Sequence, residues 1–411
     1  MSMKILHTSD WHIGSRLYGR DRHAETIRFF DWLLSLIDKD DIDALIVSGD
    51  IFDSTTPSNK SLKLYYDFLC RIAQSRCRYV IIVSGNHDSP SLLNAPKDIL
   101  RFLDVHVVGS VPESFDQEVF VLNDSEGTPG LIVCAVPYLR DRDIRMATPG
   151  ESVEDKGRQL LQGIRDHYHS VTAVAEDIRR SIGQEVPIVA TGHLFTAGGM
   201  VRDGDGVRDL YVGSLAHVNV DIFPDSIDYI ALGHLHIPQR VSGLDYIRYA
   251  GSPLPVGFNE SDHEKMIIEV SFSSQNMTIK EINIPCFQRL ISISGDIHTI
   301  ERKIESLKRG NENIWLEITY NGSDIVPDLQ ERLSGMVEDS SLDILRIKNN
   351  TILDQIIEAD QSVETLEGLD VEEVFNRCLD AHNIPEGQRE ELLSTFSEAV
   401  NLLYERDQLA E

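Results

Sequence analysis

The stretch from Val80 to Pro90, "VIIVSGNHDSP", runs apolar for four residues and then sets Asn86, His87 and Asp88 side by side. Asn and Asp favour turns, and a glycine such as Gly85 after a strand is an ordinary chain reversal, so one such stretch carries little weight. The weight comes from repetition. "ILHTSDWH" (residues 5–12) ends on Asp10 and His12, "ALIVSGDIFD" (44–53) carries Asp50, "PIVATGHL" (187–194) carries His193, and "YIALGHLH" (229–236) ends on His234 and His236. Each follows a run of strand length, and in four of the five a glycine (Gly49, Gly85, Gly192 or Gly233) stands directly before the polar residue. Such a glycine lets the backbone turn sharply or approach a ligand closely.

Between these runs lie helix-length stretches, among them residues 24–37 and 62–73, in which apolar residues recur at three and four. Strands alternating with such helices imply βαβ units and an α/β sheet. Open α/β sheets collect ligands at the carboxyl ends of their strands, so the five ends are expected to converge on one crevice. Carboxylates, an amide oxygen and imidazoles with no thiolate suit a divalent ion such as manganese, iron or zinc. Seven candidate ligands (Asp10, His12, Asp50, Asn86, His193, His234 and His236) are too many for one ion and suit two ions that share a carboxylate, the usual device for in-line displacement at phosphorus. In this reading Asn86 binds metal and His87, one residue on, faces the substrate. The remaining histidines, His7, His23, His106, His167, His169, His217, His263, His298 and His382, are read as packing or surface residues.

At 411 residues and 41% apolar content the chain is long enough for two or more domains, since single cores stop growing near about 250 to 300 residues. The first residues lack the layout of a signal peptide, and no apolar run approaches the ~18 residues of a membrane span, so the chain reads as cytoplasmic, with no membrane partner. Five scattered cysteines without a CxxC pair read as reduced packing residues. The formal charge of −29 argues against a general electrostatic nucleic-acid binder. Residues 351–411 hold sixteen acidic against three basic residues, −13 of that total, which marks them as a separate unit and leaves room for a local basic surface around Arg16, Arg20, Arg22 and Arg28.

The order DxH, GDxxD, GNHD, GH, GHxH resembles the signature of the calcineurin-like metallophosphoesterases. "GNHDSP", "ATGHLFT", "YAGSPLPVGFNE" and, near the end, "VEEVFNRCL" further resemble the SbcD family of bacterial nuclease subunits, over nearly the whole chain. That resemblance implies a metallophosphoesterase sandwich with a small α+β capping domain and C-terminal helices. It implies a manganese-dependent 3'-5' double-strand exonuclease and single-strand or hairpin endonuclease with two Mn2+ per chain; Mg2+, Fe2+ or Zn2+ are possible substitutes. The implied partners are DNA ends and hairpins, a coiled-coil ATPase of the SbcC type, and a second copy of the chain within a heterotetramer. Carried over residue by residue, Asp10, His12, Asp50 and His236 would hold one ion, and Asp50, Asn86, His193 and His234 the other. His87 would stabilise charge on the phosphate or protonate the leaving oxygen, oriented by Asp88. Asp53 stands where archaeal and eukaryotic relatives carry a His, so a role assigned to that His does not transfer. The metal motifs alone also fit a phosphomonoesterase or a cyclic-nucleotide diesterase, and a non-catalytic scaffold for the ATPase is a further alternative; the additional modules argue against the first and the intact ligand set against the second.

The expected organisation is a nuclease domain over 1–285, a capping domain over 286–350 with a β-α-β-α-β pattern, and a helical docking segment over 351–411. In that segment Val371, Val374, Phe375, Cys378 and Leu379 line one helical face, and Leu392, Leu393, Phe396, Val400 and Leu403 line another beyond Pro385. Such faces cover a partner or fold back onto the body; the resemblance favours the partner, with Val371, Val374, Phe375, Leu379, Leu392 and Phe396 as its contacts.

Overall fold

The computed structural model describes residues 2–145, 152–196, 218–273, 276–310, 312–322, 326, 328–349 and, beyond these, Phe375, Leu379, Arg389, Leu392, Leu393 and Phe396. The chain divides into two compact units, one of Met1–Ser292 with Asn311–Glu317 and Ser340–Arg346, the other of Ile293–Gly310, Ile318–Asp339 and Ile347–Glu411.

The larger unit is built on two six-stranded sheets. The first contains β1 (Ser2–Thr8), which leads through the two-residue strands β2 (Arg16–Leu17) and β3 (Arg20–Asp21) of a separate hairpin to β4 (Ala44–Ser48), β5 (Tyr79–Val83) and β6 (Val105–Val108). The second contains β7 (Val119–Asn123), β8 (Pro129–Cys134), β9 (Ile188–His193), β10 (Tyr229–Gly233), β11 (Gln239–Val241) and β12 (Leu244–Tyr249); β13 (Met266–Ser273) and β14 (Met277–Asn283) return to the first. The orders are β14-β13-β1-β4-β5-β6 and β11-β12-β10-β9-β8-β7. β1, β4, β5 and β6 run parallel, as do β8, β9, β10 and β12.

Strands such as "ALIVS" and "YIALG" are buried at every residue and almost wholly apolar because they are covered on both faces. Alternate residues go to alternate layers. Leu45, Val47, Val80 and Ile82 pack with Phe29, Leu33 and Phe68 of helices His23–Asp40 and Asn59–Ile72. Ala44, Ile46, Ile81 and Val83 face the second sheet, meeting Leu131, Val133, Val189 and Ala231. The far side of the second sheet is covered by helix Val153–Ile182 through Ile164, Tyr168 and Val171. The result is a four-layer α/β/β/α sandwich whose central layer is the seam between the sheets. His7 lies in that seam, with Nδ1 2.9 Å from the Tyr229 hydroxyl and Nε2 3.2 Å from the Leu232 carbonyl. A carbonyl only accepts, so Nε2 carries the hydrogen. Burial pulls the ring's pKa down to about 3, and His7 is a neutral strut, as a packing histidine should be.

In the remaining part, β15 (Arg289–Gly295), β16 (Ile314–Tyr320) and β17 (Leu342–Asn349) form a three-stranded sheet in that order. Helices Ile297–Lys308 and Leu329–Val337 pack on each other, the first capped by Asp296, whose side chain accepts from Thr299 N. Ile293, Ile300, Ile304, Ile318 and Leu333 are among its buried apolar residues.

Two sequence expectations are revised. Of the four arginines expected to form a basic surface, Arg16 is exposed, but Arg20, Arg22 and Arg28 are engaged within the unit: Arg22 is buried against both carboxylate oxygens of Glu25, Arg20 pairs with Asp343, and Arg28 donates to the Phe287 carbonyl and lies over its ring. Cys77 and Cys134 are buried, but Cys70 and Cys286 are exposed, and Cys378 lies outside the described residues. Of the apolar faces after residue 350, the rings of Phe375 and Phe396 stack on each other at 3.9 Å and Leu379 is buried, while Leu392 is exposed. Val371, Val374, Val400 and Leu403 lie outside the described residues.

Candidate metal centre

All five strand ends quoted above meet at the same edge of the sandwich, three from the first sheet (β1, β4, β5) and two from the second (β9, β10). The glycines explain how the ends come so close. A Cβ on Gly233 would lie 1.9 Å from the Ser48 carbonyl, and one on Gly85 would lie 2.1 Å from Asp50 Oδ1. Gly49 also adopts φ +90°, the sharp turn that carries Asp50 away from β4. Asp10, His12, Asp50 and His234 themselves take positive φ, an uncommon concentration for non-glycine residues, which the surrounding contacts hold in place.

Asp10 Oδ2 accepts from Ser9 Oγ at 2.6 Å, and its two oxygens face the His234 amide at 3.0 and 3.2 Å. His12 Nε2 is 3.2 Å from His236 Nε2 and 3.7 Å from Asp50 Oδ2. His193 Nε2 is 2.9 Å from Asn86 Oδ1 and 3.4 Å from Asp50 Oδ2, while its Nδ1 donates to the Ser48 carbonyl at 3.0 Å. The His234 ring stands edge-on to His193 at 5.3 Å. Asp10, His12 and His236 form one group whose donor atoms lie within 4.8 Å of one another; Asp10, Asp50 and His193 form another. The structure thus brings all seven candidate ligands into one cluster, buried except for the half-buried Asn86, with Asp50 Oδ2 between His12 and His193.

The electrostatics ask for positive charge. Burial pulls His193 down, but the Asp50 carboxylate and, further off, Asp10 reverse this and push it up to about 9. His12 is likewise raised, burial being outweighed by Asp53, Asp50 and Asp10. Asp50 is held far below the usual carboxylate range, burial being overcome by His193, His12 and His87. His234, by contrast, is lowered well below its ordinary value by burial and by the neighbouring imidazoles. Carboxylates that draw protons onto adjacent rings are a site a divalent cation can neutralise, and the oxygen and imidazole donor set fits one.

His87 donates its backbone N–H to Asp50 Oδ1 at 2.9 Å, and its ring Nδ1 is 2.9 Å from the Asp53 carbonyl. Asp88, expected to orient His87, has its carboxylate on main-chain amides: Oδ2 takes Ile51 and Gly85 at 3.1 and 2.8 Å, and Oδ1 takes Phe52 at 2.9 Å. It therefore ties the loop after β4 to the loop after β5. Burial, and then the charge of Asp50, push it up to about 6 against those bonds.

Several contacts at the centre were not anticipated, one of them made by Asp53 of the GDxxD motif. Asp53 Oδ1 faces His12 Nδ1 at 3.5 Å, and Glu260 Oε1 faces His236 Nδ1 at 3.6 Å. Glu260 is fully buried and paired with Lys265 at 2.5 Å. Its stretch, "YAGSPLPVGFNE", was visible in the sequence, but nothing in its spacing told Glu260 from a surface carboxylate. Tyr138, edge-on to His193 at 6.3 Å, and Arg140, 3.4 Å from the Asp88 carbonyl, follow β8, whose end lacks the glycine-polar signal.

A family model described as calcineurin-like phosphoesterase matches residues 3–238, and one described as type 5 capsule protein repressor C-terminal domain matches 286–383. The SbcD component of the SbcCD nuclease of Escherichia coli (strain K12) is 35% identical over 404 residues, 98% of this chain and 98% of that protein. The component of the same name from Rhodobacter capsulatus is 34% identical over 281 residues, 66% of this chain and 67% of that one. Among solved structures, a dimetal phosphatase from Danio rerio is similar to 69% of this chain and 97% of its own, at 10% identity and a TM-score of 0.41.

Proposed function

Since the chain belongs to the calcineurin-like phosphoesterases, and within them to the SbcD nuclease subunits, we propose that it cleaves DNA phosphodiesters with two manganese ions held by the seven clustered side chains. The observation that carries this is the meeting of two acidic groups, one amide oxygen and four imidazoles from five strand ends, with Asp50 shared between the two flanks. In this reading Asp10, His12, Asp50 and His236 hold one ion, and Asp50, Asn86, His193 and His234 the other. When bound, such ions neutralise the non-bridging oxygens of a phosphodiester and make water acidic enough to attack phosphorus near neutral pH.

The chain's own residues do the rest. A carbonyl at His87 Nδ1 means that this nitrogen carries hydrogen, so Nε2 is the nitrogen that titrates. Protonated, it donates to a phosphate oxygen or to the leaving sugar oxygen. Asp50 fixes the His87 main chain through its other oxygen, so the group that bridges the ions also sets the acid. Asp88 keeps both loops in register. Substrates of this reading are double-strand ends, degraded 3'-5', and single-strand or hairpin DNA.

The same proposal divides the chain into a nuclease domain over 1–285, a capping domain over 286–350 that positions DNA, and a segment over 351–411 that docks an ATPase of the SbcC type. The name of the relatives, subunits of the SbcCD nuclease, supports such a partner. A second copy of the chain is supported by Ile99, Phe102 and Leu103, which stand 72%, 90% and 41% exposed beside one another. The assembly would be a heterotetramer in the cytoplasm; among the described residues, no helix is long and apolar enough to cross a membrane.

Comparing manganese-dependent cleavage of a DNA hairpin and of a blocked linear duplex with that of a small phosphate monoester, with and without the ATPase, tests the reading. Preference for the monoester would overturn it.

A further inference from the structure

Behind the two imidazoles that face each other across the centre stand two carboxylates. We propose that Asp53 and Glu260 are positioning residues that hold His12 and His236 with hydrogen on Nδ1, so that both Nε2 lone pairs are aimed at one cation; this rests on the two-ion reading above. His12 and His236 turn their Nε2 atoms inward, 3.2 Å apart. On the outer side Asp53 Oδ1 lies 3.5 Å from His12 Nδ1 and Glu260 Oε1 lies 3.6 Å from His236 Nδ1, each just beyond hydrogen-bond length. His12 Nδ1 and Glu260 Oε1 are both buried without a hydrogen bond, a donor and an acceptor that these pairings would serve. A carboxylate on the far nitrogen fixes the tautomer and makes the ring a stronger donor to a metal.

Glu260 cannot swing away. Its Oε2 takes Lys265 Nζ at 2.5 Å and the Val256 amide at 3.0 Å, and Lys265 also donates to the His236 carbonyl at 2.9 Å and to Ser252 Oγ at 3.0 Å. Asp53 acts twice, through its carboxylate on His12 and through its carbonyl on His87. The carboxylate could instead join His12 and His87 as a cation site of its own, since the three offer atoms within 4.8 Å of one another. That would require both nitrogens of His12 to be unprotonated while Nε2 serves the main centre, which a neutral imidazole cannot provide.

Titrating the metal-free, full-length chain with manganese chloride by calorimetry tests this, with Asp53→Asn, Glu260→Gln and His236→Ala compared. Asp53→Asn should weaken one of the two ions about tenfold and leave the other unchanged. Because the carbonyl on His87 survives the substitution, cleavage should return as manganese is raised. Glu260→Gln should behave alike; if it fails to fold, the pair Glu260→Gln with Lys265→Met takes its place. An Asp53→Asn isotherm superimposable on the parent's, beside a weakened His236→Ala, overturns the assignment while sparing the two-ion reading. Loss of a whole equivalent of manganese in Asp53→Asn, or a cleavage defect that no manganese concentration repairs, also overturns it. If His236→Ala binds as the parent does, the two-ion reading falls and this inference with it.

Discussion

The two flanks of the centre hold their imidazoles by different means. Behind His12 and His236 stand carboxylates, Asp53 and Glu260; behind His87 and His193 stand main-chain carbonyls, of Asp53 and Ser48. A carbonyl gives a ring direction and a fixed tautomer, whereas a carboxylate adds a full charge that side-chain substitution can remove. One flank is therefore tunable by mutation behind the ring, and the other is set by the course of the backbone.

The largest effect is expected where the flanks share a group. Asp50→Ala should strip both ions and reduce cleavage to background; elemental analysis beside a nuclease assay checks it, and retention of both ions would remove Asp50 from its bridging place. His87→Ala should keep both ions and lose about 10²- to 10⁴-fold in cleavage. An active His87→Ala, or one without metal, would contradict its role as the acid on the carbonyl-held flank.

The carboxylate flank should show its cost in stability. Glu260→Gln leaves Lys265 buried beside a neutral partner, expected to destabilise by about 3 to 5 kcal/mol, and Lys265→Met in the same chain should restore much of it. Thermal unfolding of the single and double variants decides whether that charge pair is as tightly coupled as its 2.5 Å contact implies. The other flank offers a pH test. In metal-free protein His193 is raised from 6.5 to about 9, so its contribution to stability is complete below about 6.5 and is lost as pH rises through about 9. The melting temperature should therefore fall over that range, and fall less in His193→Gln. Smallest of all should be the effect of Phe375→Asp on the centre: cleavage by the isolated chain unchanged, with copurification of the ATPase lost. Deleting 351–411 should do the same, and a truncated chain that still captures the ATPase would move the interface elsewhere.

The fold and the cluster were legible because strand ends carry a short local code, an apolar run, then glycine, then a ligand type, as around Asp50, Asn86, His193 and His234. The long-range partners were not, since no local pattern marks a carboxylate that meets its imidazole from 24 residues away, as Glu260 does with His236. Asp88 misled for a related reason: adjacency to His87 suggested a ring partner, whereas its oxygens turn to the amides of Ile51, Phe52 and Gly85. The glycines were noticed for the right positions, but their main service is to let the two sheets' strand ends approach, as at Gly233 and Ser48. The arginines at 20, 22 and 28 looked like a surface patch because their acceptors come from distant segments or, for Arg22, from the first turn of its own helix.

Asp10, His12, Asp50 and His234 occupy φ values of 53°, 43°, 49° and 100°. The left-handed region tolerates Asp, Asn and His better than alanine or branched residues, whose cost there is about 1 to 2 kcal/mol. An alanine scan of these positions thus removes a donor and bends the chain's preferences at once, and its score conflates the two. Asparagine at position 50 or 10 keeps the conformational preference while removing the charge and turning one acceptor oxygen into a donor, so its effect is confined to the side chain's chemistry, which makes it the cleaner probe. The same filter acts on inheritance: for these positions the peptide backbone narrows the substitutions available before any chemistry is selected.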